Sequence, residues 1–510
     1  RFLERVSLSK YKNNFILKGG MLVASIVGVD MRATMDIDTT VEALSLKEQD
    51  AQRIIEEICN VLMEFQQRMR EYAITEFRCY ATSAIRNAKN QVSVLNQIKI
   101  RTGVDVIMLS NSELRFLMYK GIQVLDIDFN KIIEKNTAIL DIGSGSVQVS
   151  LFDKQALYMT QNLDIGTVKV RGFLESVENN VLDYISVLEE YIQYEFDMFK
   201  SGYLKDKDIK NVIAIGDEIK NINRLIPELH LTDTMSYEQI LYIYKKIKKA
   251  SYQDIALKYG LSIEDARMVL PSVLIYKTFL ERSKADTVYI CATNLCDGSV
   301  VDYAQETKKI KLSHDFYQDI VASAKYIGKR YRYSKVHAQY ITDLALEIFD
   351  KTKKFHGLTQ RDRLILEISA ILHDIGKYVN LNDPGKNGYQ LIMSTEIMGL
   401  SHREREEVAN IVLYNTQELP DTDELDTAFW REEYLRIAKL SSILRLANAL
   451  DRGHKQKLEK CSMARKGKEL IISLETNQDI TLEITRFSKK AETFSEFTGI
   501  TPVLKQKRAL

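Results

Sequence analysis

A short acidic and glycine-rich segment is the feature of this chain that most directly suggests chemistry. Asp141-Ile142-Gly143-Ser144-Gly145-Ser146 directly follows the strand-like residues 137–140. A strand that enters such a turn can bind phosphates, because glycine lets the backbone approach a polyanion and N–H and serine O–H groups donate to phosphoryl oxygens. Asp141 can hold Mg²⁺ through water. An ordinary β-turn explains such a string about as often, so other segments must decide.

Two further segments precede this turn. Residues 81–90 contain Arg86, and residues 109–121 contain Glu113. In this order the three segments resemble the exopolyphosphatase and guanosine-pentaphosphate phosphatase (Ppx/GppA) family, over about residues 60–510. The resemblance implies α/β lobes of the actin-like ATPase (ribonuclease H-like) fold. It also implies a Mg²⁺-dependent hydrolase of phosphoanhydride bonds.

The resemblance also implies roles for individual residues. Glu113 would orient or deprotonate the attacking water, and Arg86 would lie near the phosphate chain. The residues themselves leave a second role open for Glu113, because Ser110 can cap a helix with Glu113 three residues later in a capping box. The two roles can coexist, since a helix N-terminus also favours a phosphate.

The first residues follow another pattern. The family opens with a strand and a Gly-Ser phosphate loop, and residues 1–60 contain no such loop. Gly19-Gly20 and Asp36-Ile37-Asp38 instead resemble the opening of AbiE-type nucleotidyltransferase toxins. The resemblance implies that the Gly-Gly turn would bind NTP phosphates and that the two aspartates would bind Mg²⁺. Asp36 and Asp38 would share one face of a strand, although a surface strand with two acids is the alternative. We expect a truncated, fused or mis-assembled reading frame, joined near residues 45–60, and impaired activity.

The region from residue 311 has a helical pattern and resembles an HD domain. His337 and the pair His373-Asp374 match the metal layout of that phosphohydrolase superfamily. However, Asn448 occupies the position where an aspartate is expected, and residues 385–389 contain no histidine. Because loss of an anionic ligand weakens divalent-metal binding, the sequence favours a structural, metal-poor HD-type fold.

Pattern changes rather than linkers mark the domains. The 510 residues are 45% hydrophobic, which indicates packed cores. Strand-like runs are predicted at 137–140, 147–152, 212–217, 287–291, 469–474 and 480–484. The predicted domains are a nucleotidyltransferase-like fragment (1–55), a partial first actin-like lobe (56–135), a second lobe with the phosphate turn (136–310), an HD-type helical domain (311–451) and a small α+β C-terminal domain (452–510).

Charge, hydropathy and cysteine spacing indicate which partners and which cellular location to expect. Residues 452–510 contain 13 lysines and arginines against 7 acids, which suits diffuse contact with a polyanion or an ordinary solvated surface. The sequence contains no uncharged apolar run of 18 residues and does not begin with a signal-peptide pattern. We therefore expect a cytoplasmic protein without membrane contact. The five cysteines lack CxxC spacing and predict reduced thiols.

Three functions remain open on the sequence alone. The favoured one is an exopolyphosphatase-like phosphohydrolase that releases terminal phosphate from inorganic polyphosphate or guanosine pentaphosphate with Mg²⁺. The alternatives are a nucleotidyltransferase toxin fragment and a non-catalytic protein that binds polyphosphate or (p)ppGpp. The resemblance further implies a homodimer.

Overall fold

The chain forms two compact units. A computed structural model describes residues 14–18, 48–86, 88–125, 127–178, 183–204, 208–226, 233–285, 287–291, 293–420, 428–457 and 460–507. The first unit comprises residues 1–316 and the second residues 317–510. Among the described helices, none is both long and apolar enough to cross a bilayer. All five cysteines are unbridged, and three of them are buried.

A small parallel sheet opens the first unit. Its strands follow in the order β1 (Asn14–Lys18), β2 (Glu76–Ala81) and β3 (Val106–Met108). The helices around it are α1 (Glu48–Glu71), α2 (Ser83–Arg86) and α3 (Gln91–Thr102). Ile58 and Leu62 of α1 pack with Cys79 and Ile98 in one apolar core. The strand that precedes Gly19 therefore belongs to the same sheet as β2. Gly19, Gly20, Asp36 and Asp38 themselves lie outside the described residues.

A six-stranded sheet forms the rest of the first unit. Its order is β6-β5-β4-β7-β9-β8, with β4, β7 and β9 parallel to one another. The strands are β4 (Thr137–Ile142), β5 (Val147–Asp153), β6 (Ala156–Leu163), β7 (Asn211–Ile215), β8 (Thr234–Ser236) and β9 (Thr287–Cys291). The four predicted strands of this region are confirmed as β4, β5, β7 and β9. Because β4 and β7 are parallel neighbours, the residues that follow them meet at one sheet edge.

Helices surround this sheet, which explains why β4 and β7 are nearly continuous apolar runs. A π-helical segment (Lys200–Leu204) directly follows the helix that ends at Phe199. The helices are α4 (Asn111–Ile122), α5 (Phe129–Ile132), α6 (Thr167–Glu178), α7 (Tyr184–Phe199), α8 (Asp217–Asn223), α9 (Tyr237–Ile247), α10 (Tyr252–Tyr259), α11 (Ile263–Ser283) and α12 (Leu295–Glu306).

Two glycines bring α4 and α12 into backbone contact. A Cβ atom added to Gly298 would lie 2.0 Å from the Leu117 carbonyl oxygen, and one added to Gly121 would lie 3.2 Å from the Gly298 nitrogen. Beside this crossing, the Lys120 ammonium donates to the Asp302 carboxylate at 2.5 Å. The helix that carries Glu113 is thus held directly against α12.

Gly298→Ala is expected to destabilise the protein by about 1–3 kcal/mol, because the new methyl group must push two helix backbones apart. Chemical denaturation of the full chain measures this change. Gly202→Ala is the control, since a Cβ atom there would have no neighbour within 4 Å. Equal stability of the two variants would contradict the close packing of α4 on α12.

The second unit is mainly helical, as predicted. A 3₁₀ helix (Ile375–Tyr378) directly follows the His373-Asp374 pair. Leu344, Ile365, Val408 and Leu440, from four different helices, are buried in its core. The helices are α13 (Phe316–Arg330), α14 (Lys335–His356), α15 (Gln360–Leu372), α16 (Pro384–Met393), α17 (His402–Thr416) and α18 (Ala428–Ala449).

The last elements that the structure describes are a three-stranded sheet and one helix. The sheet contains β10 (Lys460–Lys466), β11 (Glu469–Glu475) and β12 (Thr501–Lys507), with helix α19 (Thr481–Thr498) before β12. The predicted strand at 469–474 is confirmed as β11, whereas the strand predicted at 480–484 is wrong. That segment begins α19, whose buried side chains Glu483, Phe487 and Phe494 recur at helical spacing. A five-residue run in which four residues are apolar or β-branched does not by itself distinguish the two structures.

Candidate functional site

The predicted phosphate turn connects β4 to β5. The Gly143 N–H donates to the Ser146 carbonyl at 2.9 Å and closes the turn. Residues 143–146 are exposed or half-buried, so their backbone and hydroxyl groups are accessible to a ligand. Asp141, inside the end of β4, keeps 15% of its side chain exposed. The turn therefore presents its donors and one carboxylate at the edge of the sheet.

The start of α6 fixes this turn through the backbone. The N–H groups of Thr167 and Val168 donate to the carbonyls of Gly143 and Ser144, each at 3.0 Å. A Cβ atom added to Gly166 would lie 2.2 Å from the Ser144 carbonyl oxygen. Two carbonyl oxygens that would repel a phosphate are thereby bound to helix donors. The close approach requires glycine at position 166.

A second carboxylate faces the same point as Asp141. Asp141 and Ile215 are paired in β4 and β7, and Gly216 follows with a φ of 97°. A Cβ atom added to Gly216 would lie 3.5 Å from Glu218 Oε2 and 3.6 Å from Asp141 Oδ1. Both carboxylates therefore border the Gly216 backbone, and oxygen ligands of this kind suit Mg²⁺. Sequence analysis missed Glu218, although Gly216-Asp217-Glu218 directly after a strand was a usable signal.

A buried tyrosine lies near these two acids. Tyr276 of α11 is fully buried, and its hydroxyl has no hydrogen-bond partner within the part of the chain that the structure describes. Burial, together with the negative charges of Glu218 and Asp141, raises the pKa of this phenol well above its usual range. Tyr276 therefore stays neutral and adds no charge to the site.

Helix α4 connects Glu113 with the phosphate turn. Glu113 forms the predicted capping box, because its N–H donates to Ser110 Oγ at 3.1 Å and its Oε2 accepts from the Ser110 N–H at 2.8 Å. Two residues later, the buried Arg115 places its Nε 3.8 Å from Asp141 Oδ2. Arg115 also donates to Asn162 of β6 at 2.8 Å. The helix start is thus held next to the turn by an arginine that sequence analysis had not selected.

Arg86 lies at the same helix start. Its guanidinium donates to the Leu109 carbonyl and to Asn111 Oδ1, both at 2.6 Å. These two acceptors flank Ser110, the N-cap residue of α4. The structure therefore brings Arg86 to the loop that begins the Glu113 helix, while Arg115 connects that helix to Asp141. Arg86, Glu113 and Asp141 are thus connected through the first turn of α4.

A separate cluster in the second unit contains His337, His373 and Asp374. His337 Nδ1 lies 2.8 Å from Asp451 Oδ2, and His337 Nε2 lies 3.2 Å from His373 Nε2. His454 stacks on the His337 ring with centroids 3.5 Å apart. Sequence analysis missed both Asp451 and His454. The aspartate that was expected at position 448 is found three residues later. Asp451 faces His337, whereas Asn448 contacts Asn415.

The charges in this cluster are strongly perturbed. Burial opposes ionisation of Asp374, but His373 and Lys377 outweigh it and lower the pKa of the carboxyl to about 2. Burial also lowers the pKa of the His373 imidazole, and burial with nearby His337 and Lys377 lowers the pKa of His454 to about 4. Near neutral pH the cluster therefore holds a carboxylate beside neutral His373 and His454.

Comparison with known proteins identifies the family. The sequence matches the Ppx/GppA phosphatase family over residues 30–307 and Ppx/GppA phosphatase, domain III, over residues 321–490. The chain belongs to the Ppx/GppA phosphatase family. It is therefore a hydrolase of phosphoanhydride bonds with actin-like α/β structure, which confirms the predicted enzyme class. The first match begins inside the segment that also suggested a nucleotidyltransferase-type fragment.

Individual relatives are distant. The chain is 22% identical over 401 residues to the guanosine-5'-triphosphate,3'-diphosphate pyrophosphatase of Photobacterium profundum, covering 74% of each chain. Among solved structures, it is similar to the Aquifex aeolicus Ppx/GppA family member, with 19% identity, a TM-score of 0.42, and coverage of 53% of this chain and 87% of that one. An exopolyphosphatase from Cytophaga hutchinsonii gives 16% identity, a TM-score of 0.42, and coverage of 52% and 84%.

Proposed function

We propose that the protein releases terminal phosphate from inorganic polyphosphate or guanosine pentaphosphate. The observation that carries the proposal is the meeting of Asp141 and Glu218 at Gly216, beside the phosphate turn and the arginine-linked end of α4. A relative of the chain is a guanosine-5'-triphosphate,3'-diphosphate pyrophosphatase, which supports guanosine pentaphosphate as a substrate.

The proposed mechanism uses positioned charges. Backbone N–H groups of the turn and the hydroxyls of Ser144 and Ser146 would bind the terminal phosphates, and Arg86 would contact the chain. Mg²⁺ held by Asp141 and Glu218 would neutralise the charge of the reacting phosphoryl group. Glu113 would accept a proton from water as the oxygen attacks phosphorus and the bond to the bridging oxygen breaks. The products are inorganic phosphate and a chain shorter by one phosphate.

Other parts of the proposal rest on sequence. The basic residues of 452–510 would guide a long polyanion by diffuse contacts. A cytoplasmic location and a homodimer remain predictions, as does a nucleotidyltransferase-type role for Gly19, Gly20, Asp36 and Asp38. The alternative of a binder without activity would keep the turn at 141–146 and lose turnover.

With Mg²⁺, the full chain is expected to bind polyphosphate at least roughly tenfold more tightly than ATP, the equivalent of one more hydrogen bond to a charged group. The reason is that the turn offers phosphate donors, which a longer phosphate chain uses more fully. Equilibrium titration and phosphate release on polyphosphate, guanosine pentaphosphate and ATP measure the preference. Tighter ATP binding with label transfer to RNA or protein would favour a nucleotidyltransferase, and binding without release would favour the non-catalytic binder.

A further inference from the structure

The buried hydroxyl group of Tyr276 has no hydrogen-bond partner among the residues that the structure describes. The side chain, on helix α11, is 0% exposed, so the hydroxyl is also shielded from bulk water. Buried tyrosine hydroxyls normally form a hydrogen bond, because an unpaired one loses its hydration without compensation. Packing of the aromatic ring therefore does not by itself explain why a tyrosine, rather than a phenylalanine, occupies this position.

Two carboxylates act on this hydroxyl group. Burial, together with the negative charges of Glu218 and Asp141, holds the pKa of Tyr276 well above its usual range. The hydroxyl therefore keeps its proton and can both donate and accept hydrogen bonds. Helix α11 packs against α8, whose first turn carries Glu218. Tyr276 thus lies beside the two acids that border Gly216.

Two carboxylates and a neutral phenol suit a hydrated divalent ion. Mg²⁺ is typically bound by one or two carboxylates and keeps several of its waters. A hydration water donates hydrogen bonds, and the oxygen of a neutral phenol can accept one of them. Groups that orient the ligands of a metal ion in this way strengthen its binding. Tyr276 is therefore suited to hold the hydration shell of an ion from the buried side of the two acids.

We propose that Tyr276 is a positioning residue whose hydroxyl group accepts a hydrogen bond from a hydration water of the Mg²⁺ ion held by Asp141 and Glu218. This inference rests on the proposed function, because it requires the ion to bind at these two acids. The role of Tyr276 is to fix the hydration water, and through it the ion. It exchanges no proton with the substrate or the attacking water, since the phenol stays neutral.

Tyr276→Phe tests this role because it removes only the oxygen atom. Calorimetric titration of the full-length chain with Mg²⁺, after treatment with a chelator, should show binding about tenfold weaker than in the parent, as for other groups that orient metal ligands. Without divalent ions, the melting temperature should equal or exceed that of the parent, because an unpaired hydroxyl is lost from the interior. Phosphate release should fall about tenfold at limiting Mg²⁺ and recover at excess Mg²⁺.

Two further variants serve as controls. Tyr340→Phe, on α14 of the second unit, also removes a buried hydroxyl for which the described chain offers no partner. It should bind Mg²⁺ like the parent, because its hydroxyl lies in the other unit. Asp141→Asn removes the charge of one proposed ligand and identifies the fraction of Mg²⁺ binding that belongs to the acids at Gly216.

The variants also separate failure of the Tyr276 role from failure of the proposed function. Weaker Mg²⁺ binding by Asp141→Asn with parental binding by Tyr276→Phe would overturn the role of Tyr276 and leave the proposed function intact. Parental binding by both variants would refute the ion site as well. A lower melting temperature of Tyr276→Phe without divalent ions, together with parental Mg²⁺ affinity, would assign its hydroxyl to a permanent buried water and a structural role.

Discussion

Glu113→Gln is expected to lower the rate of phosphate release about 10²- to 10⁴-fold, the usual range for loss of a general base. The amide keeps the size of the carboxyl group but cannot accept a proton from the attacking water. Binding of polyphosphate should change little, because the turn at 141–146 and Arg86 are untouched. Steady-state phosphate release and equilibrium titration on the same preparation measure the two effects separately.

Glu113→Gln should leave the capping box, and therefore the stability of α4, intact. Glu113 accepts from the Ser110 N–H through a carboxylate oxygen, and the amide oxygen of glutamine can replace that acceptor. The melting temperature of Glu113→Gln should therefore match that of the parent. Glu113→Ala loses the acceptor as well and should cost about 1 kcal/mol of stability, in the range of other capping losses. Parental activity in Glu113→Gln would leave Glu113 with the structural role alone.

Local patterns in the sequence predicted Asp141, the turn that follows it and Glu113. The strand before Asp141, the turn after it and the Ser110–Glu113 capping box involve residues within a few positions of one another. Their geometry follows from backbone rules that act over one turn. For the same reason the central strands β4, β5, β7 and β9 could be predicted from composition and flanking residues.

Glu218 and Asp451, which the sequence did not indicate, depend on contacts between distant segments. Glu218 joins Asp141 only because β4 and β7 are neighbours in the sheet. Asp451 reaches His337 across 114 residues, and no spacing rule indicates whether Asp451 or Asn448 faces the histidine. The wrong strand at 480–484 has a related cause, since packing of α19, rather than local preference, decides that short apolar run.

Gly166→Ala is expected to abolish most phosphate release, although residue 166 is not itself proposed to contact the substrate. The added Cβ atom would lie 2.2 Å from the Ser144 carbonyl oxygen and 2.5 Å from the Gly145 carbonyl carbon. Both are backbone atoms of the phosphate turn, so the clash cannot be relieved by a side-chain rotation. The turn must move away from α6 or lose its hydrogen bonds to Thr167 and Val168.

A shift of about 1 Å in a phosphate-binding turn should cost roughly 10²-fold or more in rate, because reacting groups tolerate little misplacement. Overpacking should also lower the stability by about 1–3 kcal/mol. Gly172→Ala is the matched control on the same helix, since a Cβ atom there would meet nothing within 4 Å. It should retain parental activity and stability. If Gly166→Ala folds and still releases phosphate at the parental rate, the phosphates do not bind at the 141–146 turn, and the position of the active site must be sought elsewhere in the first unit.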